Sequence, residues 1–172
     1  GMYAEILRSC LQAAYPLHIR VSKFLSQLCS KIILFHPESV KPNLNGLIEF
    51  AVSGALPITI EEETIAAIYQ EVDTKEACII AINTVDMKPK TGFFAAKFVS
   101  LFVELSDVIS FERKYVKRIC SYCLHSPKGA DEQVIMKNLF SILAQKMPEQ
   151  YKSFIKTQTN KYKKMLSSFI PK

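Results

Sequence analysis

Residues 93–105 read FFAAKFVSLFVEL. Wound into a helix, this stretch carries apolar side chains on almost every side. A helix without a polar face has to be enclosed by other protein, and this one is far too short to span a bilayer. It therefore predicts a centre, Phe93 to Leu105, around which the rest of the chain packs as its shell.

The shell is written in the same period. Tyr3, Ile6, Leu7, Cys10, Leu11 and Ala14 follow the i, i+3, i+4, i+7 spacing of one buried helix face. "YP" at 15–16 ends that helix, because the residue before a proline is driven out of the α region. Val21, Phe24, Leu25, Leu28, Ile32 and Phe35 form a second stripe, closed by "HPESVKP". Leu44, Leu47, Ile48, Ala51 and Val52 make a third, stopped by Gly54 and Pro57.

Thr59 with Glu62 reads as a capping box for the fourth helix, and Asp73 with Glu76 repeats the device for the fifth. The sixth is the apolar centre. The seventh is predicted from about Ser106 to Leu124, the eighth is capped by Asp131, and Pro148 opens a long ninth reaching Phe169. The only strand-like run, "ALPITI", lies between a Gly and a Pro and reads as a loop.

The expected class is therefore all-α: about nine helices over residues 1–172 as one domain. Taken in pairs, they begin near residues 3, 43, 74 and 107, with the ninth near 148. Steps of roughly 30–45 residues are the rhythm of α-solenoids. The tetratricopeptide signature is absent, and so is the ankyrin motif. In this rhythm the whole chain resembles the HEAT/armadillo superfamily. The resemblance implies antiparallel helix pairs wound into a right-handed α-α superhelix, a protein-interaction or scaffold role, and no catalysis. A chain that starts and ends within helical pattern is what one segment of a longer array would look like.

Composition supports this class and limits the chemistry. Five glycines among 172 residues leave few tight turns for a β-sandwich or barrel. Gly1 ahead of Met2 reads as the remnant of a removed tag. Glu5 and Arg8 interrupt the first apolar pattern, so no secretory signal is expected. Five cysteines, odd in number and irregularly spaced, point to reduced thiols and an intracellular protein, cytoplasmic or nuclear.

"ICSYCLHS" at 119–126 poses the one metal question. Zinc needs four ligands, commonly two pairs from separate elements. Cys120, Cys123 and His125 have no second pair: Cys10, Cys29 and Cys78 are isolated, as are His18 and His36. Ile119, Tyr122 and Cys123 share a stripe with Tyr115, so the thiols read as small core residues. No metal and no cofactor is expected. Neither a phosphate-binding glycine loop nor a nucleophile elbow occurs. "EEE" at 61–63 falls in a first helical turn, where the macrodipole favours acids.

Charge is the better functional signal. Residues 1–110 carry 9 Lys and Arg against 12 Asp and Glu, while residues 111–172 carry 13 against 4. Arg113, Lys114, Lys117 and Arg118 lie on one flank of the seventh helix. Lys152, Lys156, Lys163 and Lys164 lie on the ninth. A solvated helix face would look the same. Read functionally, these eight residues form a basic surface for a protein partner with an acidic surface or tail.

The alternative partner is a nucleic-acid backbone, as in the helical-repeat domains of RNA-processing factors, with Tyr115, Tyr151 and Tyr162 available for stacking. A further alternative is the tubulin-binding class of HEAT arrays. Those usually carry a tryptophan in an early inter-helix loop, and this chain has none. No membrane partner is expected.

Overall fold

Among the described residues, each of the nine stretches marked by the apolar period contains helix, with bounds that differ in places. The computed structural model describes residues 1–13, 19–52, 62–87 and 92–172, and among these there is no strand. Ten α-helices follow in order: α1 Met2–Ala13, α2 Ile19–Phe35, α3 Leu44–Ala51, α4 Glu62–Glu71, α5 Thr74–Met87, α6 Gly92–Leu105, α7 Arg113–His125, α8 Ala130–Lys146, α9 Pro148–Lys156 and α10 Asn160–Ser167. Two 3-10 turns, Pro37–Ser39 and Lys41–Asn43, link α2 to α3. The Thr59–Glu62 capping box and "ALPITI" lie outside the described residues.

Packing centres on α6, which touches α4, α5, α7 and α8. Ala95, Ala96, Val99, Phe102 and Val103 are fully buried in it. Its small residues let neighbouring helices approach, while Phe98 and Phe102 stack at 4.4 Å between ring centres. Enclosure is incomplete, however. Phe94, Lys97, Glu104 and Leu105 are exposed, and Leu101 is only half-buried. The reason is that α6 has neighbours on most of its circumference but not all of it.

Beyond that centre, alternate helices from α1 to α9 touch one another, and from α5 onward each helix also touches its successor: α7 meets α5, α8 and α9, and α2 meets α1 and α4. The ends of these alternate helices are tied. Lys146 Nζ, at the end of α8, donates to the Ser106 carbonyl just past α6 at 2.8 Å. Gln150 Nε2, in the first turn of α9, donates to Ser110 Oγ at 2.8 Å and to the Phe111 carbonyl just before α7. At the other ends of those helices, His125 Nε2 lies 3.2 Å from Gln158 Oε1. A buried amide, Asn43 Nδ2, ties the 3-10 turn to the Ala4 carbonyl of α1 at 2.8 Å.

Four expectations change. The long ninth helix is two helices: Thr157 closes α9, with its hydroxyl on the Phe154 carbonyl, and Thr159 opens α10 from extended backbone. Tyr151 donates its hydroxyl to the Leu166 carbonyl at 2.7 Å and holds α10 against α9. The seventh helix starts at Arg113 rather than near Ser106, because Ile109 and Phe111 enter the core from an irregular segment. Gly129, not Asp131, is the N-cap of α8, which begins at Ala130. On α2, Phe24 and Phe35 are 63% and 75% exposed, and the inward face runs through Ser26, Cys29, Ile32 and Ile33. Half of the Asp73–Glu76 capping box forms: the Asp73 carboxylate accepts the Glu76 backbone N–H at 2.8 Å, and no return bond to the Glu76 carboxylate is made.

Candidate functional site

Helices α7, α9 and α10 together carry Arg113, Lys114, Lys117, Arg118, Lys152, Lys156, Lys161, Lys163 and Lys164, against Glu149 as their one carboxylate. Each owes its place to an amphipathic pattern. Val116, Ile119, Cys120 and Cys123 turn inward on α7; Tyr151, Phe154 and Ile155 do so on α9 and Leu166 on α10. The lysines and arginines take what remains of each circumference. Because α7 lies beside α9 and α9 beside α10, the three basic flanks belong to adjoining helices.

Within this set the residues differ. Arg113, Lys114, Lys117, Lys152, Lys156 and Lys164 are exposed; Arg118 and Lys163 are half-buried. Lys114 lies 3.7 Å from Glu112. Arg118 is engaged across the packing: Nη1 donates to Asn83 Oδ1 of α5 at 2.8 Å and lies 3.4 Å from Asp86 Oδ2. Its charge is thus partly neutralised, and it braces α7 on α5. Arg113, Lys117, Lys152, Lys156 and Lys164 have no carboxylate within 4.0 Å among the described residues. Lys161, outside the predicted set, is exposed with its ammonium over the Tyr162 ring at 5.6 Å. Its place in "KYKKM" was the signal for it.

The tyrosines do not make a stacking platform. Tyr151 is fully buried, and burial raises its phenol pKa. Tyr115 is half-buried and covered by its own neighbours, Lys114 at 5.1 Å and Arg118 at 5.8 Å from the ring centre. Tyr162 meets the His125 ring edge-on at 5.4 Å.

The cysteine–histidine stretch divides between inside and outside. Cys120 and Cys123 are buried, while His125 is exposed and engaged by Gln158. Burial raises every thiol: Cys29 and Cys123 are pushed up to about 12, the latter despite Lys128, and Cys10, Cys78 and Cys120 also move up. Protonated, enclosed thiols are poor nucleophiles and poor metal ligands. Among the described residues, no group of three His, Cys, Asp or Glu side chains is placed to hold a metal ion. No helix among them is long and apolar enough to cross a membrane. Comparison with protein-family models, curated proteins and solved structures finds no match for this chain.

Proposed function

We propose that this domain is a non-catalytic interaction module of HEAT/armadillo-like architecture, whose basic face on α7, α9 and α10 receives an acidic segment of a protein partner. On this reading the helices form antiparallel pairs in two layers, wound as a right-handed superhelix. Contacts between alternate helices from α1 to α9, with α7 and α9 tied at both ends, support it. In such an array alternate helices share a face, so charge on α7 and α9 adds up.

The observation that carries the functional reading is the set of six exposed cations on α7, α9 and α10, Lys161 included, without a carboxylate neighbour among the described residues. A face built mainly for stability would place acids among them, since opposite charges at helical spacing stabilise and like charges repel. Buried Tyr151 and covered Tyr115 favour an acidic protein segment over single-stranded nucleic acid, which takes much of its affinity from stacking.

The test is a charge-reversal pair, Lys117→Glu with Lys156→Glu, titrated against a fluorescent polyglutamate peptide beside single-stranded RNA. The double variant is expected to keep its thermal midpoint, because both positions are exposed, and to lose peptide binding by about tenfold or more. Equal binding by the reversed protein would make the face merely solvated. Tighter capture of the RNA, with a steep salt dependence, would move the reading to the phosphate-binding alternative.

A further inference from the structure

Helices α6 and α8 enclose a groove on the part of α6 that its neighbours leave open, with a volume of about 880 Å³. Its walls are two complete helix faces. Phe93, Lys97, Leu101 and Glu104 follow one another along α6; Asp131, Ile135, Asn138 and Ile142 do so along α8. The two helices point the same way, since their first turns line one end of the groove and Lys146 meets Ser106 at the other. The floor is apolar: Phe93, Leu101, Ile135 and Ile142 are half-buried, and Phe94 and Val134 stand 36% and 58% exposed at the edges.

Charge is distributed along this groove in a definite order. Asp131 and Glu132 lie at the end where α8 begins, and Glu104 lies at the end where α6 finishes. None of the three has a cation within 4.0 Å among the described residues. Lys97 is the single cation on the walls. The groove thus has acidic ends and an apolar floor between them, edged by Lys97, Ser100, Asn138 and Ser141, on helices other than those bearing the basic face.

We propose that this groove is a docking site for an amphipathic helix of a partner protein, apolar along one face and carrying lysine or arginine at both ends. Length fits such an occupant. At about 1.5 Å rise per residue, the 14 residues of α6 make a wall of about 21 Å, matched by a helix of about 14–15 residues. Two helices side by side present ridges into which a third packs at the usual 8–10 Å spacing. Helix-in-groove recognition uses apolar anchors at i, i+3, i+4 and i+7 of the occupant, and the floor can receive them over about two turns, since Phe93 and Leu101 stand eight residues apart and Ile135 and Ile142 seven. The terminal cations of the occupant supply the charges that Asp131, Glu132 and Glu104 lack. They also fix the segment along the groove, because a helix with acidic ends would set like charges together.

The probe is a synthetic helical peptide of about 15 residues, with leucines at that spacing and two lysines at each end. The intact domain is titrated by fluorescence anisotropy at physiological salt. Saturable binding is expected, with shifted methyl resonances for Leu101, Ile135 and Ile142. Val134→Lys and Phe94→Lys alter exposed edges, and each should weaken binding about tenfold. Glu104→Lys with Asp131→Lys should weaken it comparably. Lys117→Glu with Lys156→Glu should leave it unchanged, which separates this site from the basic face. Absent saturation, equal binding of a glutamate-ended peptide, or methyl shifts confined to other helices would overturn the proposal. So would a dimer in sedimentation that Val134→Lys dissolves, since the occupant would then be a second copy.

Discussion

At Gly92 the ring of Tyr122 fills the space where any other residue would carry its Cβ. The contact joins the start of α6 to α7, and Tyr122 meets Phe93 edge-on at 5.3 Å. Gly92→Ala should therefore destabilise by about 1–3 kcal/mol, the usual range for forcing a methyl into packed space. Ordinary helix propensity predicts the opposite sign, since alanine is the better helix former by about 1 kcal/mol. Urea denaturation decides between them. The Tyr122→Ala background should relieve the penalty, so that the two changes are non-additive. Close packing of this kind is invisible in sequence, where Gly92 reads only as a turn beside a proline-containing loop. Asp73, by contrast, was legible as a cap because its carboxylate needs nothing but a backbone N–H three residues on. Asp131 was not, because the extended Gly129 is the N-cap and the helix begins at Ala130, which puts the acid inside the first turn.

On the scale of the element, period reveals which face of a helix is apolar but not whether anything covers it. Phe24 and Phe35 repeat at core spacing on α2 and stand exposed. The same blindness applies to α6, whose sequence asks for full enclosure while its fold leaves one strip open to the groove. That difference is measurable within two adjacent residues. Phe102 is completely buried against Phe98 and Tyr69. Phe102→Ala should cost about 3–5 kcal/mol, in the range for a core aromatic. Leu101→Ala, half-buried on the groove wall, should cost below about 2 kcal/mol, because part of its surface is already wet. Equal losses at the two positions in chemical denaturation would contradict the open strip. The break between α9 and α10 was hidden for a related reason. Ile155 and Tyr162 are seven apart, two helical turns, so the stripe runs on through Thr157–Thr159 although the helix does not.

At the scale of the molecule, charge is the feature that sequence displays best and places worst. The basic third was legible, yet Arg118 finds Asn83 thirty-five residues away, which no local pattern foretells. The groove was missed altogether, because Ile135, Ile142 and Leu101 look like core until α6 is seen beside α8. For the cysteines the inward assignment held, and it has a consequence for stability against pH. All five thiols are buried, and burial raises each above the ordinary value of 9.0. Below that value both folded and unfolded chains keep the protons, and the stability is intact. As pH rises past it, the unfolded chain releases protons that the folded chain still holds. The unfolded state then binds fewer protons, so stability falls with increasing pH, by up to about 1.4 kcal/mol per unit for each such thiol. For Cys29 and Cys123 the decline continues until about pH 12. Urea midpoints should accordingly be level from pH 7 to 8 and drop steeply by about pH 10, where unfolded thiols are ionised. Cys29→Ala and Cys123→Ala should each start from lower stability, through the lost packing, yet show a shallower descent. A midpoint that stays level to pH 10 would mean that the thiols ionise as readily in the folded chain as in the unfolded one, and that the interior is wetter than its packing implies.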